Sequence, residues 1–78
     1  MKKVVQIYRL PVLIEHDADG YFATCPSLQG CYSQGMTYEE ALANITSVMQ
    51  LHIADHLADN EEIAQPLSLS LSTVEVMA

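Results

Sequence analysis

The stretch "CPSLQGCYSQGMTYEEALAN", residues 25–44, passes from turn chemistry to a helix start without a spacer. It holds both cysteines of the chain and two of its three glycines. Thr37 and Glu40 form the T-x-x-E pattern of a capping box, in which each side chain accepts a hydrogen bond from the other residue's free backbone N–H. Glu39 and Glu40 also complement the positive end of a helix dipole. The stretch therefore predicts a strand, a corner at Gly35 where the backbone approaches closely or takes positive φ, and a helix start.

Downstream of Tyr38, the apolar residues follow the spacing of an amphipathic helix. They are Leu42, Ile45, Met49, Ile53 and Leu57, together with Ala41 and Val48. The sequence "DNEEIAQP", residues 59–66, ends this pattern, because Asp and Asn compete locally with the backbone and proline cannot continue a helix. One long helix is predicted.

Upstream, the sequence predicts a β-hairpin and a third strand. "HDADG", residues 16–20, is a turn sequence, since Asp side chains bond the neighbouring backbone and Gly tolerates positive φ. "YFATC", residues 21–25, is the returning strand, with Tyr21, Ala23 and Cys25 on one face. "PSLQG" turns the chain again, and "CYSQGM", residues 31–36, is the third strand.

The apolar run from Val4 to Ile14 predicts the first strand of that hairpin. Its segment "LPVLI", residues 10–14, has no polar position, which favours a central strand or one covered on both faces. Pro11 donates no ladder hydrogen bond and favours an edge, a bulge or a break. We therefore expect the strand to begin anew at Val12.

The final segment "LSLSLSTVEV", residues 67–76, alternates as a strand does, but its parity changes partway. Two sets of apolar side chains result, one for each side: Leu67, Leu69 and Leu71, then Val74 and Val76. A regular strand with one dry face cannot bury both sets, so the segment predicts either a bulge near Ser72 or a second apolar surface against another chain. We favour the second. Four residues of the segment, with the helix-free face of the sheet, are the predicted oligomer interface: Leu69, Leu71, Val74 and Val76.

The predicted architecture is a single α+β domain over residues 1–78, with an antiparallel sheet packed on one long helix in the order β-β-β-α-β. Half of the 78 residues are apolar. A chain of this size buries only about 60% of its unfolded surface, so it commonly gains stability from a disulfide, a metal or a partner chain. We expect self-association into a dimer or a higher oligomer.

The charge balance indicates the class of partner. The formal net charge is −7, which would repel a phosphate backbone, so direct binding of DNA or RNA is not expected. The three basic residues, Lys2, Lys3 and Arg9, all lie in the first nine positions. The chain after them carries only negative formal charge, which suits a basic protein partner.

The start of the chain predicts neither a signal peptide nor a membrane span. Gln6, Tyr8 and Arg9 interrupt the first apolar run, and a span needs about 20 consecutive apolar residues. We therefore expect a cytoplasmic protein. Cys25 and Cys31 are expected as reduced, buried thiols, with a disulfide across a hairpin as the alternative.

The candidates for metal chemistry are weak. His52 and His56 are four residues apart, the spacing that puts two imidazoles on one helix face. Zinc needs a third and usually a fourth ligand, and the H-E-x-x-H order of a zinc-binding helix is absent. His16 could be a third ligand only if the fold brought it next to the two helix histidines. We interpret the two histidines as the flank of the helix. Asp17 and Asp19 resemble a calcium loop but lack its length and distal Glu, so we interpret them as turn residues.

Catalytic candidates are no stronger. A nucleophilic cysteine needs a neighbouring base and a positive environment, whereas this chain is acidic almost everywhere. Carboxylates for metal-assisted nuclease chemistry would have to converge from separate strands. No enzyme activity and no cofactor are predicted, and a small metal-dependent nuclease is kept as the less favoured alternative.

The segment "GYFATCPSLQGCYSQGMTYEEALANI", residues 20–45, resembles the HicB-like antitoxin family, and the strand and helix order extends the likeness over nearly the whole chain. The residues that carry the resemblance are Tyr21, Ala23, Pro26, Leu28, Gly30, Cys31, Gly35, Thr37, Glu39, Glu40, Ala41 and Asn44.

This resemblance implies a partial ribonuclease-H-like fold without catalysis of its own. It also implies a partner, a HicA-type toxin, which is a small basic ribonuclease that cuts messenger RNA. The implied mechanism is occlusion of the toxin's active site. Many members of the family continue into a C-terminal DNA-binding domain, so promoter binding is not expected of a chain that ends at Ala78. A stand-alone oligomeric domain without a toxin partner is the alternative.

Overall fold

A computed structural model describes residues 6–78, in which three short strands precede one long helix. Strands β1 (Leu13–Asp17), β2 (Gly20–Thr24) and β3 (Tyr32–Gly35) form an antiparallel sheet in the order β1-β2-β3. Helix α1 covers Tyr38–Ala58. The α+β class and the order of these elements are confirmed. The beginning of the first apolar run, from Val4, and the two lysines lie outside the described residues.

The helix packs on one face of the sheet, and the core lies between them. Six residues are buried: Ala23, Cys25, Leu28, Cys31, Ala41 and Ile45. Ile14 lies opposite Ala23 in the β1–β2 register and packs against this core. Because side chains alternate along a strand, Ile14 and Ala23 define the helix-facing side, and their neighbours in sequence define the helix-free side.

Strand β1 differs from the prediction of a central or doubly covered strand. It is an edge strand that begins at Leu13, two residues after Pro11, and its apolar residues are half-buried. Pro11 explains this difference, because proline has no N–H to donate to a neighbouring strand and is therefore found at strand edges and breaks.

At the corner between β3 and α1, Gly35 lies directly against the helix. A Cβ at this position would be 2.9 Å from Cα of Ala41. The Asn44 side-chain amide donates to the carbonyl of Gln34 at 2.7 Å and fastens the helix to β3. Glycine at 35 is thus required because the two backbones are in contact.

The helix begins at the predicted cap, with one difference. The Glu40 N–H donates to Thr37 Oγ1 at 3.1 Å, as in a capping box. The Glu40 carboxylate, however, accepts from the N–H of Met36 at 3.1 Å, one residue before the cap, rather than from Thr37. The Glu40 side chain thus contacts the backbone just after β3, so its carboxylate holds the end of β3 to the helix start.

The helix ends as predicted, with Asp59 as its C-cap and Asn60 at φ 56°. Its apolar stripe is only partly covered, because the sheet is short. Ile45 is buried, but Leu42 and Leu57, which were predicted on the same stripe, are 39% and 50% exposed.

The predicted final strand is wrong for this chain on its own: residues 61–78 form no strand or helix. Instead, the segment runs beside the free edge of the sheet, where Pro66–Leu69 line a cleft with Arg9–Pro11 and Leu71 lines one with Val12–Glu15. One hydrogen bond joins the two stretches nearby, from the Arg9 N–H to Gln65 Oε1 at 2.6 Å. The change of apolar parity gives the segment no single face to bury on the edge.

Candidate protein-binding surface

Most of the residues that carry the family resemblance lie in two places in the fold, the β2–β3 connection and the β3–α1 corner, and Tyr21 and Ala23 lie in β2. In the connection, the N–H of Cys25 donates to the carbonyl of Cys31 at 3.0 Å, and the N–H of Leu28 donates to the carbonyl of Cys25 at 3.1 Å. Gly30 has φ 75°, which favours glycine. Leu28 closes the core from this side with only 3% of its surface exposed. These residues build the scaffold.

Cys25 and Cys31 lie opposite each other where the β2–β3 register continues, and both are free and buried. Burial, together with the neighbouring Cys25 thiol, raises the pKa of Cys31. Since the thiolate is the reactive form, this environment disfavours nucleophilic chemistry. The interpretation of both residues as buried thiols is confirmed.

The two helix histidines do not form a metal site in the structure. His56 Nδ1 lies 3.2 Å from Glu61 Oε2, in a position that does not satisfy hydrogen-bond geometry. Across residues 6–78, no three His, Cys, Asp or Glu side chains converge as metal ligands would. His16 is not part of such a group either, and its ring stacks on Tyr21 with centroids 4.0 Å apart.

The helix-free face of the sheet carries a different set of side chains. By the register, its members are Leu13, Glu15, Asp17, Phe22, Thr24, Tyr32 and Gln34. The rings of Phe22 and Tyr32 stack with centroids 5.9 Å apart, and Tyr32 is 58% exposed. The face therefore presents an aromatic pair next to an exposed carboxylate, Glu15, which lies directly opposite Phe22.

Further carboxylates lie at one end of this face. The β1–β2 turn and the β3–α1 corner meet there, because Tyr21 pairs with Gly35 and Asp17 pairs with Gly20. On the helix-free face this end carries Glu15 and Asp17, and the turn adds Asp19, while Glu39 and Glu40 belong to the first turn of the helix beyond the corner. Asp17 Oδ1 accepts from the Asp19 N–H at 2.8 Å, which fixes the turn. No Lys or Arg occurs anywhere from residue 10 to residue 78.

Sequence reasoning treated these acids singly, as turn and helix-end residues, and missed that the fold places Glu15 directly opposite Phe22, whose ring stacks on Tyr32. The signal was present in the alternation of Leu13, Glu15 and Asp17. To see that Glu15 lies next to Phe22, one needs the register between β1 and β2, which cannot be read from the sequence.

Comparison with known proteins places this fold in a family. The model of the HicB-like antitoxin of bacterial toxin–antitoxin systems matches residues 10–75. This chain belongs to that family. Its residues are 45% identical to a UPF0150 protein of Synechocystis sp. over 71 residues, which covers 82% of this chain and 90% of the relative. A UPF0150 protein of Helicobacter pylori is 41% identical over 64 residues, covering 82% and 89%. One from Thermoplasma acidophilum is 42% identical over 53 residues, covering 67% and 77%.

Membership in this family confirms the resemblance and gives an antitoxin role in general terms. The HicB-like match includes both scaffold regions and the helix-free face. In the part of the chain that the structure describes, no helix has the length and apolar character to cross a membrane.

Proposed function

We propose that this chain neutralises a HicA-type toxin, a small basic ribonuclease, by covering the toxin's active-site surface with the helix-free face. The observation that carries the proposal is the stacked pair of Phe22 and Tyr32 on the helix-free face, with the exposed carboxylate Glu15 directly opposite Phe22. Aromatic side chains enclosed by polar ones are the common anatomy of a protein-binding surface.

The two parts of the face have different roles in this proposal. Phe22 and Tyr32 bury apolar area against the partner and provide most of the affinity. Glu15 and Asp17 face the basic groups with which a ribonuclease holds its RNA. Such charge complementarity raises the association rate and excludes other partners, and added salt weakens it.

The test begins with co-purification of the tagged chain from its own cells at low and high salt, with mass spectrometry of the eluate. We expect a small basic protein at low salt and less of it at high salt. That protein is then purified, and its affinity for the chain is measured by titration calorimetry. Tyr32→Ala should weaken binding by roughly 30-fold, the effect of losing an aromatic anchor.

Charge reversal tests whether binding depends on the carboxylates of the helix-free face or only on the net negative charge of the chain. Glu15→Lys with Asp17→Lys should weaken binding by at least about 10-fold, mostly through the association rate. Glu62→Lys with Asp59→Lys makes the same change in net charge beyond the helix end, away from this face, and is the matched control. Equal losses for the two double variants, or no recovery of a basic partner at low salt, would overturn the proposal.

A further inference from the structure

The two cysteines form a pair that the proposed function does not use, at the end of the β2–β3 ladder. Cys25 and Cys31 lie opposite each other where the register continues beyond Thr24 and Tyr32, and the Cys25 N–H donates to the Cys31 carbonyl at 3.0 Å. The side chains of directly opposite residues lie on the same face of a sheet. Both thiols are therefore on the helix side, where each residue is only 1% exposed.

The spacing of the two backbones at this position suits a disulfide bond. The bond from the Cys25 N–H marks a hydrogen-bonded position of the ladder, where opposite Cα atoms lie about 5.5 Å apart. Disulfides in proteins span Cα separations of roughly 4.4–6.8 Å, most often about 5.5–6 Å. Cys25 and Cys31 can thus be joined without a shift of either strand. Both thiols are free in the structure, which shows the reduced form of the pair.

A short connection closes the pair off from solvent. The Leu28 N–H donates to the Cys25 carbonyl at 3.1 Å, and the Cys31 N–H donates to the Leu28 carbonyl at 3.2 Å. Leu28 is buried in the same cluster as the two cysteines, whereas Pro26 and Gln29 on either side are exposed. Loops open locally at a lower free energy than the core of a fold. An oxidant therefore reaches the thiols when Leu28 leaves the cluster and the connection opens.

While the connection is closed, the thiols are protected from oxidation. Burial raises the pKa of the Cys31 thiol, and the Cys25 thiol beside it raises this pKa further. No Lys or Arg occurs from residue 10 to residue 78 to stabilise a thiolate. Since the thiolate is the form that attacks a disulfide, the closed pair exchanges slowly. Opening of the connection returns both thiols to water and removes this protection.

We propose that Cys25 and Cys31 are a reversible thiol–disulfide site, with Leu28 as its gate. In the open connection, one cysteine thiolate attacks a small disulfide, with oxidised glutathione as the probe, and forms a mixed disulfide while one glutathione thiol leaves. The second cysteine attacks the protein sulfur of that mixed disulfide and releases the second glutathione thiol. One S–S bond forms in the protein, and the two thiol protons and two electrons pass to glutathione. This inference does not depend on the proposed function.

The oxidised form keeps the fold and gains stability. A bond between the two cysteines closes a short ring over residues 25–31, which restricts the unfolded chain. We expect Tm to rise by roughly 5–10 °C on oxidation. Because the pair lies on the helix side, the helix-free face presents the same side chains in both forms.

The test exposes the purified full chain to oxidised glutathione without denaturant, followed by alkylation of the remaining thiols and mass spectrometry. We expect a single chain that has lost two hydrogen atoms, takes up no alkylating reagent and regains both thiols in a reductant. Its circular dichroism spectrum should be unchanged and its Tm higher. Cys25→Ala and Cys31→Ala should each stop at one glutathione adduct, because the second thiol is missing.

Leu28→Ala tests the gate, and Ile45→Ala is the matched control, because both remove apolar bulk from the same buried cluster. Leu28→Ala should accelerate ring closure by at least about 10-fold relative to Ile45→Ala, since only Leu28 belongs to the connection. Urea unfolding verifies that both variants are folded. Equal acceleration would mean that the thiols become accessible through unfolding of the whole chain, and would overturn the gate.

Three results with the unchanged chain would overturn the site itself. They are thiols that react only in denaturant, a product that stays at the glutathione adduct, and a disulfide between two chains. Loss of the circular dichroism spectrum on oxidation would also overturn it, because the strand spacing would then not accommodate the bond.

Discussion

The stretch from Gly20 to Ile45 and the segment from Leu67 to Met77 are both rich in apolar residues, yet they reach opposite states. The first buries Ala23, Cys25 and Ile45 almost completely, and the second leaves each of its large side chains at least half exposed. In the first, turns, a cap and a close glycine contact bring apolar residues to one side. The segment from Leu67 to Met77 has no turn, cap or glycine contact that would bring its apolar side chains to one side. Apolar content alone therefore does not make a core, and the fold of this chain rests on the geometry of residues 20–45.

The sharpest test of this comparison removes apolar bulk from each region. Ile45→Ala should lower the free energy of unfolding by about 2–5 kcal/mol, because Ile45 is fully buried and its removal leaves a cavity. Leu67→Ala should change it by less than about 0.5 kcal/mol, since Leu67 is fully exposed. Urea unfolding followed by circular dichroism, at one low protein concentration, measures both. Comparable losses would mean that the segment belongs to the core.

The next test concerns the glycine contact between β3 and the helix. Gly35→Ala should destabilise the chain by about 1–3 kcal/mol, near the upper end, because the new Cβ meets backbone atoms that cannot rotate away. Gly30→Ala is the control: no atom lies within 4 Å of its Cβ position, but its φ of 75° remains unfavourable, at about 1 kcal/mol. If the order of the two losses were reversed, close packing at the corner would not be the main requirement.

The smallest of the three effects concerns the helix start. Thr37→Ala should cost about 1 kcal/mol, because the N–H of Glu40 loses its acceptor. Thr46→Ala is the same substitution within the helix, where the hydroxyl donates to the Leu42 carbonyl at 2.7 Å and competes with the backbone, so little or no loss is expected. Thermal unfolding resolves the difference. Equal shifts in Tm for the two variants would mean that the Thr37 cap does not stabilise the helix start.

Local sequence signals predicted the scaffold well. The capping pair, the turn at Asp17 to Gly20, the break at Pro11 and the stop before Pro66 each act through the residue's own backbone or its near neighbours. The Glu40 carboxylate was one residue off its predicted partner, because the choice between the N–H of Met36 and that of Thr37 depends on the path of the incoming strand.

Features that depend on distant pairing were less predictable. The alternating leucines predicted a final strand, but a strand also has to pair with the edge of a sheet. The segment's apolar side chains lie on two different faces, so they do not match one sheet edge. The acidic end of the helix-free face was missed for a related reason. Glu15 and Phe22 are seven positions apart in sequence and become neighbours only through the β1–β2 register.

The measurement that tests the central claim most directly is RNA cleavage by the co-purified basic protein, titrated with this chain at low and high salt. We predict that cleavage falls to background when the chain matches the toxin in amount, that high salt restores it in part, and that Glu15→Lys with Asp17→Lys inhibits far less than Glu62→Lys with Asp59→Lys. Full cleavage in an excess of the folded chain at low salt would contradict the account.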